Sequence, residues 1–363
     1  AEVDITKSQP LATHKINVDF HPNKSVLTPD GKSLYVANGD ADTISVVDVT
    51  SHRQTATIPV NRNGSKLVGA NPTGLAFSQD GKRLYVTNSG HNEVAVINVA
   101  TRKVIGDIPT GWYPTQVLAH GRKLSITSAK GLGAGPNNGP NHPNPTDPHD
   151  TAENQYSGSL IKGLLSTVSE PDAATLAKLT ATVEKNNTAN DPARSSAVPN
   201  QIGTTSSKIK HVIYIVRENR TFDQELGSNG RGNADPSLNL FGDESAPNTR
   251  ALARQFTTFD NFYADAEVSA NGWNWVSQAN SNPWSEEMWP SNYSGRGAPY
   301  PAENNDPESR AKEHDSYFWE HLSKNNISFR NYGFYTTLDK KGKAHGVDKK
   351  ILDPNTDHDF IGW

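Results

Sequence analysis

The sequence predicts a repeat-built β-propeller followed by an α/β domain, from two observations. A self-similar stretch of short alternating segments opens the chain, and a β-branched run begins abruptly at Ile209. A chain of 363 residues has room for two or three domains, each with its own core. Only 34% of residues are hydrophobic while Gly (28) and Pro (23) are plentiful, which favours turn-rich globular structure over a helical bundle.

The repeat comes first. Residues from Ser25 read SVLTPDGKSLYVANGDADTISVVDVTSHRQTATIPV, and those from Gly74 read GLAFSQDGKRLYVTNSGHNEVAVINVATRKVIGDIPT. Asp30-Gly31 and Asp80-Gly81 fall fifty positions apart, with NRNGSKLV as an insertion in the first copy. A third, degraded copy places Gly121 forty positions after Gly81, so the underlying period is close to forty. Leu84 and Val86 alternate with Tyr85 and Thr87, and Val94 and Val96 with Ala95 and Ile97, the pattern of half-buried strands. Asp-Gly supplies the positive φ of a tight turn, and Gly90-His91-Asn92 and Ala100-Thr101-Arg102 read as the next two turns. Four strands in this span are the content of one propeller blade, and two clear copies with a partial third are fewer than a closed propeller needs. Residues 1–130 are therefore assigned to blades, with the repeat residues given structural roles.

Residues 131–207 read as a linker. Its first part is dense in Gly, Pro and Asn, and His142, Asp147, His149 and Asp150 there are read as solvated loop rather than a metal site. Within it Leu176, Leu179 and Val183 fall at helical spacing behind Asp172, predicting one amphipathic helix over about 172–186 with Asp172 as its cap.

Residues 208–363 carry the chemistry-bearing patterns. Val212 to Val216 has the content of a buried central strand, and Arg217, Glu218, Asn219 and Arg220 follow it directly, where α/β folds place reactive groups. A carboxylate beside an amide oxygen suits a divalent cation, and arginines suit phosphate oxygens. A second strand is predicted through Phe259 to Tyr263, followed by a helix entered at Ser269. There a hydroxyl could attack phosphorus beside the helix N-terminus or serve as an ordinary N-cap. Asp353, Asp357, His358 and Asp359 form a local cluster read as loop residues.

Tyr35-Val36-Ala37-Asn38 and Tyr85-Val86-Thr87-Asn88 resemble the signature of the YVTN repeat family, which implies a β-propeller. Glu218-Asn219-Arg220-Thr221-Phe222-Asp223 resembles the Glu-Asn-Arg-Ser/Thr-Phe-Asp motif of the phosphoesterases that include bacterial phospholipases C and are relatives of alkaline phosphatase. That resemblance implies metal-site roles for Glu218 and Asn219. The order of segments, with EVSANGWNW, MWPSNYSGRG and FRNYGFY, resembles bacterial proteins that join a YncE-like YVTN propeller to an alkaline-phosphatase-like domain. In that subgroup Asp-Gly-His-Asn-Trp stands where this chain has Asn271-Gly272-Trp273-Asn274-Trp275, and an indole in place of imidazole cannot bind metal. Its further Asp and His ligands would follow Trp363, so both domains are expected to be incomplete here.

The function implied is metal-dependent hydrolysis of phosphate esters, with an unidentified divalent metal on Glu218 and Asn219, Ser269 as nucleophile and Arg220 stabilising transition-state charge. The rival is a non-catalytic surface or assembly protein in which the Asn, Tyr and Trp residues after Gly272 line an interface, through self-assembly or a missing C-terminal chain. A formal net charge of -4 gives no general attraction to nucleic acid, and no apolar run reaches the length of a transmembrane helix. The absence of cysteine removes disulfides and thiolate chemistry and fits export, so a periplasmic or extracellular location is expected. The polar start at Ala1 means that a signal peptide has been removed or that the sequence starts inside the protein.

Overall fold

The computed structural model describes residues 2–4, 6, 11–61, 69–133, 161–188, 210–293 and 317–360. The chain divides into two compact units, one formed by Ala1–Asn190 with Ala266–Trp363 and the other by Asp191–Asp265. His142, Asp147, His149 and Asp150 lie outside the described residues.

The first unit begins with a short antiparallel pair, β1 (Glu2–Asp4) and β2 (Leu11–His14). Two four-stranded antiparallel sheets follow in sequential order. The first is β3 (Pro22–Leu27), β4 (Ser33–Asn38), β5 (Thr43–Asp48) and β6 (Arg53–Pro59). The second is β7 (Pro72–Phe77), β8 (Arg83–Asn88), β9 (Glu93–Asn98) and β10 (Lys103–Pro109). The repeat thus becomes two meander blades of a β-propeller-like fold. Equivalent turns join the first two strands of each blade. Gly31 (φ 69°) and Gly81 (φ 68°) occupy the left-handed region, while the Asp before each accepts the N–H of Lys32 or Lys82 and the hydroxyl of Thr28 or Ser78.

The strands β7, β8 and β9 of the second blade are buried on both faces, not half-buried as alternation predicts. Leu84, Val86, Ala95 and Ile97 pack with Tyr35, Ile44, Val46 and Ile58 of the first blade. From the opposite face, Tyr85, Val94, Val96 and Ile108 pack with Val117, Leu124 and Ile126 of the third. Blades stack face to face, so the polar positions of an ordinary surface strand are here occupied by apolar or small residues.

The third blade has three strands among the described residues: β11 (Pro114–His120), β12 (Lys123–Ser128) and β13 (Leu164–Ser169). β13 comes from beyond the Gly/Pro/Asn-rich stretch, inside residues that composition assigns to a linker. Helix α1 (Ala173–Thr188) follows and is capped as predicted, Asp172 Oδ1 accepting the Thr175 N–H at 2.8 Å. It is part of the blade stack: Leu176 and Val183 are buried, and the Thr180 hydroxyl accepts the Asp107 N–H at 2.9 Å on β10.

Two helices, α4 (Ser269–Gln278) and α5 (Pro283–Asn292), lie against one end of the blades. A Cβ on Gly39, in the β4–β5 loop, would sit 2.7 Å from Pro283 Cγ, and Asn23 Nδ2 donates to Glu287 at 3.0 Å. Helix α6 (Phe318–Lys324) and the hairpin β14 (Thr336–Leu338) with β15 (Ala344–Gly346) complete the unit. Their core is aromatic, built on Tyr317, Trp319, Phe334 and Tyr335.

The second unit contains α2 (Phe222–Leu226) and α3 (Pro247–Gln255). Two expectations fail here. Val212 to Val216 forms no strand, and Val212, Ile213 and Ile215 are 81, 86 and 76% exposed. Phe259 to Tyr263 likewise forms no strand, with Phe262 86% exposed. A β-branched run becomes a central strand only when neighbours accept its N–H and C=O groups, and no described strand pairs with either segment. Among the described residues of this unit only Ala246 is a buried apolar side chain, and the ordering element is a buried guanidinium, Arg250.

Candidate functional site

Arg217, Glu218, Asn219 and Arg220 lie on an exposed stretch leading into α2. Thr221 caps that helix: its hydroxyl accepts the Gln224 N–H, and the Gln224 side chain returns to the Thr221 N–H. Arg217 turns to Thr249 and Glu225, and Arg220 donates to the carbonyl of Asn219 at 2.8 Å. Glu218 and Asn219 thus offer two oxygen donors, both open to solvent. Among the described residues Glu218 belongs to no group of three His, Cys, Asp or Glu side chains that could share an ion. Two exposed adjacent donors do not make a metal site by themselves, so no step of chemistry is routed through a metal here.

Ser269 belongs to the other unit. It is not the N-cap of α4 but its first residue; Val268 holds the cap position with extended backbone. The helix start is fixed by Asn271 instead, whose Oδ1 accepts the Val268 N–H at 3.3 Å. Asn271 Nδ2 donates to Glu267 at 2.8 Å and to Glu286 at 3.2 Å. Lys130, in the turn after β12, donates to the same two carboxylates, at 2.7 Å to Glu286 and 3.1 Å to Glu267. Burial alone would lower the Lys130 ammonium, but Glu286 and Glu267 outweigh it and hold its pKa above the ordinary value. Tyr113 packs its ring beneath, 5.2 Å from the ammonium, and burial, reinforced by Glu286, pushes its phenol well above the usual range. The half-buried Ser269 hydroxyl has no hydrogen-bond partner among the described residues, and it sits in the first turn, where helix N–H groups favour anionic oxygens.

The rest of the NGWNW motif is structural. Asn274 donates to Ser285 at 2.8 Å, joining α4 to α5. Trp273 packs edge-on to Phe334 (5.0 Å) and Tyr335 (6.0 Å), so the indole that replaces the subgroup's imidazole is a core group. Trp289, Trp319, Tyr317 and Tyr335 are buried too, which takes them away from the interface that the binding reading gives the aromatics after Gly272. Lys130 and Glu286 escape sequence reasoning because 156 positions separate them; Glu267, two residues before Ser269, is the one member with a local signal.

Residues 3–111 match the family described as Lactonase, 7-bladed beta-propeller. This match and the sheet arrangement agree on a β-propeller-like fold. No curated protein matches the chain. Among solved structures, the chain is similar to the hydrazine synthase of Kuenenia stuttgartiensis, at 23% identity over 32% of each chain with a TM-score of 0.27. It is also similar to a putative 6-phosphogluconolactonase of Bacteroides fragilis, at 23% identity over 29% of this chain and 31% of that one, with a TM-score of 0.26. The chain spans about a third of the length of these proteins.

Proposed function

We propose that the chain belongs to an exported hydrolase of phosphate esters in which Ser269 is the nucleophile. The observation that carries this reading is the unengaged Ser269 hydroxyl in the first turn of α4, a turn whose Asn271 is tied to Glu267 and Glu286. Attack of Ser269 Oγ on phosphorus would expel the alcohol and leave a phosphoseryl group for water to hydrolyse, with the helix N-terminus facing the phosphoryl oxygens. Asn271 and Lys130 are positioning residues that fix the helix start. A metal-holding role for Glu218 and Asn219 and a charge-stabilising role for Arg220 rest on the motif resemblance alone, and these residues belong to a different unit from Ser269. Hydrolysis is also the chemistry named by the family matched at residues 3–111.

The test is release of p-nitrophenol from p-nitrophenyl phosphate and its diester by the metal-replete chain, beside Ser269→Ala. The expected outcome is turnover by the parent chain and a loss of at least about 10³-fold in the variant. Equal rates, or no product from either protein, sink the reading.

A further inference from the structure

We propose that His345, Asp353 and His358 bind one zinc-like divalent cation, which staples the β14–β15 hairpin to the segment that follows it. One ligand atom from each residue falls within a common 4.8 Å, and no other such group of three occurs among the described residues. His345 Nδ1 lies 3.2 Å from Asp353 Oδ1. Two ligands at ordinary zinc distances in tetrahedral geometry are about 3.3 Å apart, so this pair already spans one edge of such a site.

An ion pair would account for His345 and Asp353, but not for His358. Its ring centroid sits 4.6 Å from that of His345, a placement that two charged imidazoles would resist. His358 Nδ1 is 2.6 Å from the Ala344 carbonyl. A carbonyl only accepts, so Nδ1 carries the proton and a neutral ring keeps its lone pair on Nε2, the arrangement of a metal ligand whose other nitrogen is anchored. The other nitrogen of His345, Nε2, faces the Asp339 carboxylate at 3.6 Å, an ion-pair distance longer than a hydrogen bond. The Asp353 carboxylate is itself oriented by the Gly346 N–H at 2.8 Å.

The backbone holds all three in place. The Ala344 N–H donates to the His358 carbonyl at 3.0 Å. Gly346 lets β15 run close to the turn at Asp353: a Cβ there would lie 2.7 Å from the Asp353 nitrogen. Two imidazoles and a carboxylate are a donor set for zinc, and solvent would fill the fourth position. The site is independent of Glu218 and Asn219.

The experiment is calorimetric titration of the chelator-stripped full chain with Zn²⁺, together with its E218A/N219A variant, and visible absorption after Co²⁺ loading. The expected result is an equivalent bound at micromolar or tighter affinity in the parent and retained in E218A/N219A, a higher Tm with metal, and the intense bands of four-coordinate Co²⁺. His358→Ala, which removes an exposed ring, and Asp353→Asn, which keeps the Gly346 hydrogen bond, should each weaken Zn²⁺ at least tenfold. Absence of binding, binding lost in E218A/N219A, or binding unchanged in an H345A/H358A double variant would overturn the proposal. Should a variant not fold, the parent Co²⁺ spectrum decides, because an octahedral or absent signal contradicts it.

Discussion

Lys130 Nζ lies 2.7 Å from a carboxylate oxygen of Glu286, joining the turn after β12 of the third blade to helix α5 across 156 positions of sequence. The Glu286 side chain is only 3% exposed and that of Lys130 19%, so both charges depend chiefly on each other and on Glu267. Lys130→Met therefore strands two carboxylates and should cost about 3–5 kcal/mol in a denaturation measurement, with K130M/E286Q recovering part of it. The pH dependence follows from the direction of the shift. A pKa held above the ordinary 10.5 contributes stability that is fully present below the unfolded-state value and is lost as pH rises through the raised folded value. The Tm gap between parent and Lys130→Met should thus be flat near neutrality and narrow under strongly alkaline conditions.

Helix α1 makes a second prediction, because composition assigns it to a linker while the structure buries Leu176 against Val117, Leu124 and Ile126. A linker helix would tolerate truncation. Leu176→Ala should instead destabilise the blade stack by about 2–5 kcal/mol, seen as a lower denaturation midpoint at unchanged slope. Two further contacts tie the same junction to the second blade: Tyr85 donates to Glu170 at 2.5 Å and Arg83 to the Pro171 carbonyl at 2.7 Å.

Those contacts mark where sequence reading stops. The blades were legible because turn chemistry at Asp30-Gly31 and Asp80-Gly81 is local, and α1 because its cap and its apolar spacing lie within one short segment. The burial of Tyr85 and Thr87 was not legible, since alternation names two faces without saying that a second blade covers the other one. Val212 to Val216 shows the converse: β-branched content records suitability for a sheet, not the presence of partners. Among the candidate site residues, Ser269 is legible at a helix start, but the ties that Asn271 in the same turn makes to Glu286, and Glu286 to Lys130, arise through tertiary packing. Asp353 and His358 were visible as neighbours, whereas His345 reaches them only because β15 folds back.

The repeated turns allow a third prediction, in acid. The Thr28 hydroxyl and the Lys32 N–H hold the Asp30 carboxyl below its ordinary 3.8, and the Ser78 hydroxyl and Lys82 N–H do the same for Asp80. A lowered carboxylate pKa contributes stability present above the unfolded value and lost as pH falls through the folded one. A D30N/D80N variant should therefore lose less Tm than the parent as pH is taken from about 5 to about 3. Both groups are exposed, so the difference is expected to be small but of fixed sign, and an equal slope in the two proteins would contradict the assignment.

In the second unit the ordering group is Arg250. Its side chain is 3% exposed, and its guanidinium donates to Asp243 at 2.8 Å, to Ser228 at 3.0 Å and to the carbonyls of Glu225 (3.1 Å) and Phe241 (3.2 Å). These acceptors come from α2, the loop after it and the approach to α3, so one planar fork orders three segments that bury almost no apolar surface together. Lysine offers three donors from a single point and cannot reach the same directions. Arg250→Lys should therefore behave much like Arg250→Met, each leaving buried carbonyls unpaired and costing roughly 3 kcal/mol or more within this unit. Hydrogen exchange resolves the effect locally: amides of Glu225, Asn229 and Phe256 should lose protection in both variants while those of β8 and β9 keep theirs. Retention of protection in Arg250→Lys would mean that charge alone, not the fork, holds the unit together.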